Sequence, residues 1–501
     1  MSSVRTHDSA GMGGQVRRGI AWSAMNNLAM RLGTFALGII LARLLSPEEF
    51  GVYAVALTVQ AVLMTLTDLG LSADIVRSRH PERIAPTVAT FALTAGVLMT
   101  AGMATSAYAV AALLGSPGAG DVIVVLSFTL FLGGAGVVPY AMLLRRFEQK
   151  KLFLISAIDF ALGTAVTLTF LFAGWGVMAL AIGRVTAQCV TLVLQFVLAR
   201  VRPRFGINRR VVRPVLAFGL PIAGANLLSW ALLNIDTVVI SRIAGPVALG
   251  FYVLAFNISS WPMSALGQIV RAVALPAFSR TALTRSDPSL SVATALTWAI
   301  ALPAGAFLAL LSGPLITFVY GERWAAAAPV LAALGVFGAL RAGFDLFAAY
   351  LLARGASRPV LWIQVIWFVL LVPATVLGTM WWGIFGAGLA HVAVAVVVVL
   401  PAYLIAAARA GADVRAVLRT SWQPIAAMVP TGVVAYLAAS QFSGGWSLLA
   451  GGLSGGAVYA AIMYRWVRRH IPRAASDGEN APPDSHHPHA HEHISHEERV
   501  S

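Results

Sequence analysis

Charge is scarce in this 501-residue chain. Asp, Glu, Lys and Arg make up 11% of it, against about 25% in soluble globular domains. Cysteine is nearly missing too: Cys189 stands alone, which excludes an intrachain disulfide or thiolate-built metal site. Lysine occurs only at Lys150 and Lys151, and the acids number 20 against 35 basic residues. There is no Walker A loop, no H-E-x-x-H, no G-x-S-x-G, and no long polar segment that could fold as a catalytic domain. ATP hydrolysis and the common hydrolase chemistries are therefore not expected of this chain.

What the chain has is hydrophobic sequence, 58% of residues, in fourteen apolar stretches. They run near 20–43, 50–74, 87–114, 122–144, 152–173, 176–199, 214–241, 248–275, 291–318, 325–353, 359–380, 382–407, 421–440 and 446–465. A bilayer core needs about 20 apolar helical residues to cross, so the expectation is an all-α integral membrane protein with 14 transmembrane helices.

The basic residues fall in every second gap. One set of gaps holds clusters such as Arg77, Arg79 and Arg83, then Arg145, Arg146, Lys150 and Lys151, and six arginines between Arg200 and Arg213; the alternate set holds only Arg43, Arg242 and Arg323. Short loops rich in Lys and Arg stay in the cytoplasm, which puts both termini there. A miscounted hairpin would scramble the alternation downstream, and it holds phase to the end. The net charge of +15 then marks topology and contact with anionic lipid heads, and nucleic acid is not an expected partner. The basic start of span 1 resembles a signal peptide, but the span is long, contains Arg31 and lacks a clear cleavage site, so a retained helix is expected.

An internal echo divides the chain. Arg43, Pro47, Gly51 and Tyr53 recur as Arg242, Pro246, Gly250 and Tyr252, each pair 199 residues apart, in the hairpins after helices 1 and 7; Trp175-Gly176 recurs as Trp382-Gly383 before helices 6 and 12. A Pro-Gly turn used twice is the plainer alternative. Repeated halves are a common transporter plan with the substrate site where they meet. The expected organisation is a six-helix lobe (1–199), a basic linker (200–213), a second six-helix lobe (214–407), helices 13 and 14 (408–473) and a polar, His-rich tail (474–501). Pro139, Pro221, Pro262, Pro303, Pro373 and Pro430 fall in or near spans and predict kinks. Gly451, Gly452, Gly455 and Gly456 form two overlapping small-xxx-small pairs in helix 14, read as intramolecular packing. The tail histidines lack fixed geometry, so no metal or cofactor is expected.

Ionisable groups at bilayer depth are costly and turn to protein or water. Arg31, with Asn27 one turn before it, lies in helix 1, Arg184 in helix 6 and Arg341 in helix 10. Guanidiniums from both halves could line one cavity suited to an anionic head, since Arg grips phosphate bidentately and keeps its charge. Other readings are open: Arg341 as a closed ion pair with Asp345 at i+4, and Arg184 snorkelling to the outer surface. Asp68, Asp159 and Asp345 are candidates for ion coupling, with polar bundle contacts as the alternative for Asp68 and Asp159. Asp236 reads as holding a helix end, and His391 as a packed polar residue.

The hairpin Leu45-Ser46-Pro47-Glu48-Glu49-Phe50-Gly51-Val52-Tyr53, with Thr67-Asp68-Leu69-Gly70-Leu71 and Leu143-Leu144-Arg145-Arg146-Phe147, resembles the polysaccharide-export, Wzx-type flippase branch of the multidrug/oligosaccharidyl-lipid/polysaccharide exporter superfamily. The resemblance covers essentially the whole membrane region. It implies two six-helix lobes forming a V-shaped cleft plus two extra C-terminal helices. It implies alternating access that moves a lipid-linked oligosaccharide, usually on polyprenyl pyrophosphate, from the cytoplasmic to the outer leaflet of a bacterial inner membrane. Expected partners are that glycolipid, membrane lipids, and a polysaccharide polymerase and glycosyltransferases. Cavity residues diverge across the family, so only the residue type carries over to Arg31, Arg184 and Arg341, and the His-rich tail departs from the usual pattern. The alternatives are a peptidoglycan-precursor flippase, a multidrug/cation antiporter, for which acidic cavity residues would be expected, and a polymerase or scaffold, for which a large outer loop would be expected.

Overall fold

The computed structural model describes residues 32–68, 71–78, 80–281 and 289–470. The described residues form helices and no strand: α1 (Leu32–Leu44), α2 (Pro47–Asp68), α3 (Leu71–Arg77), α4 (Pro81–Leu113), α5 (Gly120–Arg145), α6 (Gln149–Phe172), α7 (Met178–Ala199), α8 (Arg209–Thr281), α9 (Ser289–Leu310), α10 (Ser312–Val319), α11 (Ala328–Ala353), α12 (Ser357–Val394), α13 (Leu400–Arg409), α14 (Val414–Ser440) and α15 (Gly445–His470). Two are double. Gly245, at φ +82°, breaks α8, and Trp382–Gly383 breaks α12, whose second half runs through one π turn into α13. With the short α3 and α10 grouped with the helices they follow, these are fourteen segments: six before the linker, six after it, and α14 with α15.

The breaks sit where the sequence places boundaries between spans, while the predicted second span, 50–74, is divided into α2 and α3. Proline interrupts little. Pro139, Pro303, Pro373 and Pro430 all lie inside continuous helices, as a protein environment can satisfy the carbonyl that proline leaves unpaired.

Local chemistry explains the start of α2. Ser46 N–H donates to Glu49 Oε2 (2.8 Å) and Glu49 N–H donates to Ser46 Oγ (3.2 Å). This is a reciprocal capping box with Pro47 at the first helical position. Several loop cations close helix C-termini, where exposed carbonyls attract positive charge. Arg145 Nη1 donates to the Val76 carbonyl (2.9 Å), Arg146 Nη1 to Ala199 (2.7 Å) and Lys151 Nζ to Leu198 (3.0 Å).

Association of helices in lipid relies on close packing of small residues. Gly96 on α4 faces Gly134 on α5, and Gly305 on α9 faces Gly335 on α11. In α15, Gly451 and Gly455 press on Ala435 of α14, while Gly452 and Gly456 face open space. One pair of the glycine stripe therefore packs within the chain. The main core is continuous across both halves, running from α2, α4 and α5 into α8 and α11.

Candidate substrate cavity between the lobes

The two echoing hairpins meet. A Cβ on Gly51 would overlap the Pro246 carbonyl, and one on Gly250 would overlap the Pro47 carbonyl. Around this contact each lobe lays a loop on the other. Arg43 Nε donates to the Val319 carbonyl (2.8 Å), and the Trp324 indole N–H donates to Ala42 (2.7 Å). Trp324 is fully buried, with Phe50 and Phe251 meeting it edge-on at 5.5 and 5.8 Å. On the opposite side Ser241 Oγ donates to the Leu114 carbonyl (2.5 Å), and Gly115, at φ +72°, turns its chain against Ser241. The three loops with few basic residues, at Arg43, Arg242 and Arg323, thus lie in or beside one closed end.

Immediately beneath lies a cavity of about 590 Å³ shared by both lobes. Thr34 and Phe35 of α1, Tyr53 of α2, Asn257 and Trp261 of α8, and Tyr320 contribute to its wall. The Phe35 and Trp261 rings meet there with centroids 4.4 Å apart, tilted at 39°. Amphipathic aromatics and scattered hydroxyl and amide groups give a surface that can meet sugar faces and hydroxyls while apolar neighbours exclude bulk water.

Leu180 of α7 lines this space, and one turn further along that helix, outside the lining, stands Arg184. It pairs with Asp159 across α6 and α7 at 3.6 Å, and the Asp159 carboxylate also accepts from Thr191 Oγ1 at 2.7 Å. The pair is open, with 45% of the Arg184 side chain and 25% of Asp159 accessible. Thr191, Gln188, Gln195 and Tyr140 also line a separate pocket of about 330 Å³ within the first lobe, together with apolar residues such as Met64, Leu132 and Leu192. Thr191, Gln195 and Tyr140 carry no charge, and nothing in the sequence singled them out.

The other anticipated residues are placed as follows. Arg31 and Asn27 lie outside the described residues, as does the His-rich tail. Arg341 and Asp345 sit one turn apart on α11, both half-buried and both engaged with neighbours, and neither is among the residues lining the inter-lobe cavity. Asp68 is the last residue of α2. The sharpest polar cluster involves two residues that sequence reasoning gave structural roles. Asp236 (3% exposed) accepts from Tyr252 Oη at 2.5 Å and from the Thr237 N–H at 2.8 Å; His391 Nε2 (residue 4% exposed) is 3.8 Å away. His391 Nδ1 lies 3.0 Å from the Ala387 carbonyl, so it bonds within its own helix while facing Asp236. The echo therefore diverges in use: Tyr53 faces the cavity, whereas Tyr252 is sealed in the second lobe.

Known proteins share this sequence and this architecture. The chain is 29% identical over 354 residues to the succinoglycan biosynthesis transport protein ExoT of Rhizobium meliloti, covering 69% of this chain and 71% of that protein. It is 24% identical over 427 residues to the lipopolysaccharide biosynthesis protein WzxC of Escherichia coli, covering 83% and 86%. Among solved structures, the lipid II flippase MurJ superposes with a TM-score of 0.75 at 15% identity over 90% of this chain and all of that one. An inward-facing multidrug resistance transporter of the MATE family, in the MOP superfamily, gives 0.62 at 19% identity over 78% and 96%. These two establish a shared fold of membrane-spanning helices. The polysaccharide biosynthesis protein family model matches residues 40–329, more than half of the chain and the stretch that holds both echoing hairpins, and the chain belongs to that family.

Proposed function

We propose that this protein is a flippase that carries a lipid-linked oligosaccharide, held on polyprenyl pyrophosphate, from the cytoplasmic to the outer leaflet of the bacterial inner membrane for assembly of surface polysaccharide. The arginine-rich loops would face the cytoplasm, and the two lobes would alternate access about the clasp described above. The observation that carries this reading is the cavity walled by both lobes, with the open guanidinium of Arg184 one helical turn beyond its lining residue Leu180. A charge inside a spanning segment must face protein or water, and among the described residues this one has only a long, open pairing with Asp159. Relatives named for succinoglycan transport and lipopolysaccharide biosynthesis support the choice of cargo.

The physics of the task matches such a site. Each unpaired sugar hydroxyl costs about 4–8 kcal/mol to move from water into hydrocarbon, so the headgroup needs a polar path while the polyprenyl chain stays in lipid. A potential negative inside favours outward movement of an anion by about 2.3 kcal/mol per charge per 100 mV. Arg31, Asn27, Arg184 and Arg341 are the proposed headgroup contacts, and Asp68, Asp159 and Asp345 the proposed sites of ion coupling.

The test is reconstitution in vesicles with a defined fluorescent lipid-linked glycan and a leaflet-accessibility assay. Arg31→Ala, Arg184→Ala and Arg341→Ala should each slow flipping with no loss of folded protein, and an imposed outside-positive potential should speed the native protein. Full activity in all three variants would end the site assignment. Failure of the native protein to move any polyprenyl-linked glycan would end the cargo reading.

A further inference from the structure

A basic cavity lies in the first lobe, away from the inter-lobe space. Residues 201–208 form a nonhelical strap from the end of α7 to α4. At one end the Ala199 and Leu198 carbonyls accept from Arg146 and Lys151. At the other end the Gly206 N–H donates to Thr90 Oγ1 (3.0 Å) and the Asn208 N–H donates to Thr87 Oγ1 (3.1 Å). Under this strap is a cavity of about 690 Å³. Arg200, Arg202 and Arg204 stand at its rim with Glu82, and its walls include Phe131, Val138 and Phe196 of α5 and α7.

The three guanidiniums have no ion-pair or hydrogen-bond partner among the described residues, and the carbonyls that could have used them are already closed by Arg146 and Lys151. One carboxylate against three guanidiniums leaves the rim positive. Phe205 and Ile207 beside it are 59% and 62% exposed, as suits side chains at the level of lipid headgroups. A cationic rim over an apolar slot is complementary to a phosphate ester attached to hydrocarbon, since basic pockets between spanning helices hold anionic headgroups and guanidinium pairs with phosphate through parallel hydrogen bonds.

We propose that the cavity beneath this strap binds an anionic phospholipid of the surrounding membrane, its phosphate held by Arg200, Arg202 and Arg204 and its acyl chains lying along α5 and α7. The cavity shares no lining residue with the inter-lobe space, which favours a membrane lipid over the transported glycolipid. Binding at this site stands apart from the transport reading, because it is measured without flipping.

The experiment uses the full chain reconstituted with photoactivatable phosphatidylglycerol or phosphatidylcholine at equal mole fraction, followed by mapping of labelled peptides. Phosphatidylglycerol should label 82–93 and 196–205 at least about fivefold more than phosphatidylcholine. Arg200→Gln/Arg202→Gln/Arg204→Gln should bring it down to the phosphatidylcholine level, and the corresponding triple lysine variant should keep most of the excess. Equal labelling by the two lipids in the native protein would overturn the proposal, and that arm needs no variant to fold. Undiminished labelling in the folded glutamine variant would do the same. Displacement of the probe by a polyprenyl diphosphate at a lower mole fraction than unlabelled phosphatidylglycerol would assign the cavity to the cargo and so overturn the phospholipid assignment.

Discussion

Gly51 and Gly250 lie against each other reciprocally: each presents the bare face of its Cα to the backbone of the other's hairpin, at the carbonyl of the proline four residues earlier. One turn sequence, used twice, closes on itself across the lobe boundary. Overpacking such a contact costs about 1–3 kcal/mol, enough to shift a two-state equilibrium severalfold or more. Gly51→Val and Gly250→Val should each open this end. With Cys189→Ser and Asn257→Cys in place, labelling of the cavity by an impermeant maleimide added from the arginine-poor side should rise severalfold. Native-like labelling in both variants would show that the contact does not control closure.

Trp324 should be the most costly single truncation at the clasp. Its ring is wedged between Phe50 and Phe251, and its N–H bonds the Ala42 carbonyl of the other lobe. Trp324→Ala is expected to destabilise by about 3–5 kcal/mol. Trp324→Phe, which keeps much of the ring and loses the donor, should cost about 0.5–1.5 kcal/mol, the net worth of one hydrogen bond, because the Ala42 carbonyl still accepts from Arg323 Nη2 (2.9 Å). Thermal melting in detergent measures both: native-like melting of Trp324→Phe would discount the indole hydrogen bond, and equal melting of the two variants would discount the ring packing.

Arg184 and Asp159 separate a transport role from a pairing role. The contact is long and open, and exposed pairs contribute about 0–1 kcal/mol, so neither Arg184→Gln nor Asp159→Asn should melt much earlier than the native protein. Flipping should fall by about tenfold or more in Arg184→Gln, whereas Asp159→Asn, at a proposed ion-coupling site, should lose the response to an imposed ion gradient and keep most of the flipping seen without one. If the two variants and their double mutant lose the same activity, Arg184 serves only to hold Asp159.

The Asp236 cluster should act on stability. Asp236→Ala would leave the Tyr252 hydroxyl without its acceptor in a dry interior, at about 1–3 kcal/mol, while the Thr237 N–H keeps its place in the helical ladder of α8. Tyr252→Phe removes a donor from the same carboxylate and should cost less. A native melting temperature for Asp236→Ala would contradict the buried hydrogen-bond network.

Much of this molecule was open to reading from one dimension. Span count follows from local hydrophobicity, and the breaks at Gly245 and Trp382–Gly383 fall where turn residues interrupt it. The hairpin motif already held its capping box and its small residue, although the partner of Gly51 was not visible. Arg341 and Asp345 were legible as neighbours because helical spacing alone sets an i,i+4 pair. The pairing of Arg184 with Asp159, and of Asp236 with Tyr252 and His391, was not.

By itself the sequence determined how many times the chain crosses apolar surroundings, where the crossings break, and which loops share a side by charge, because each depends on residues close together along the chain. Only the tertiary structure decided that the repeated hairpins clasp one another, that Tyr53 faces a cavity while Tyr252 is sealed beside Asp236, and that three linker arginines crown an apolar slot. Helices in lipid are apolar on nearly every face, so their periodicity does not reveal which face turns inward, and contacts between distant helices are chosen by packing in three dimensions.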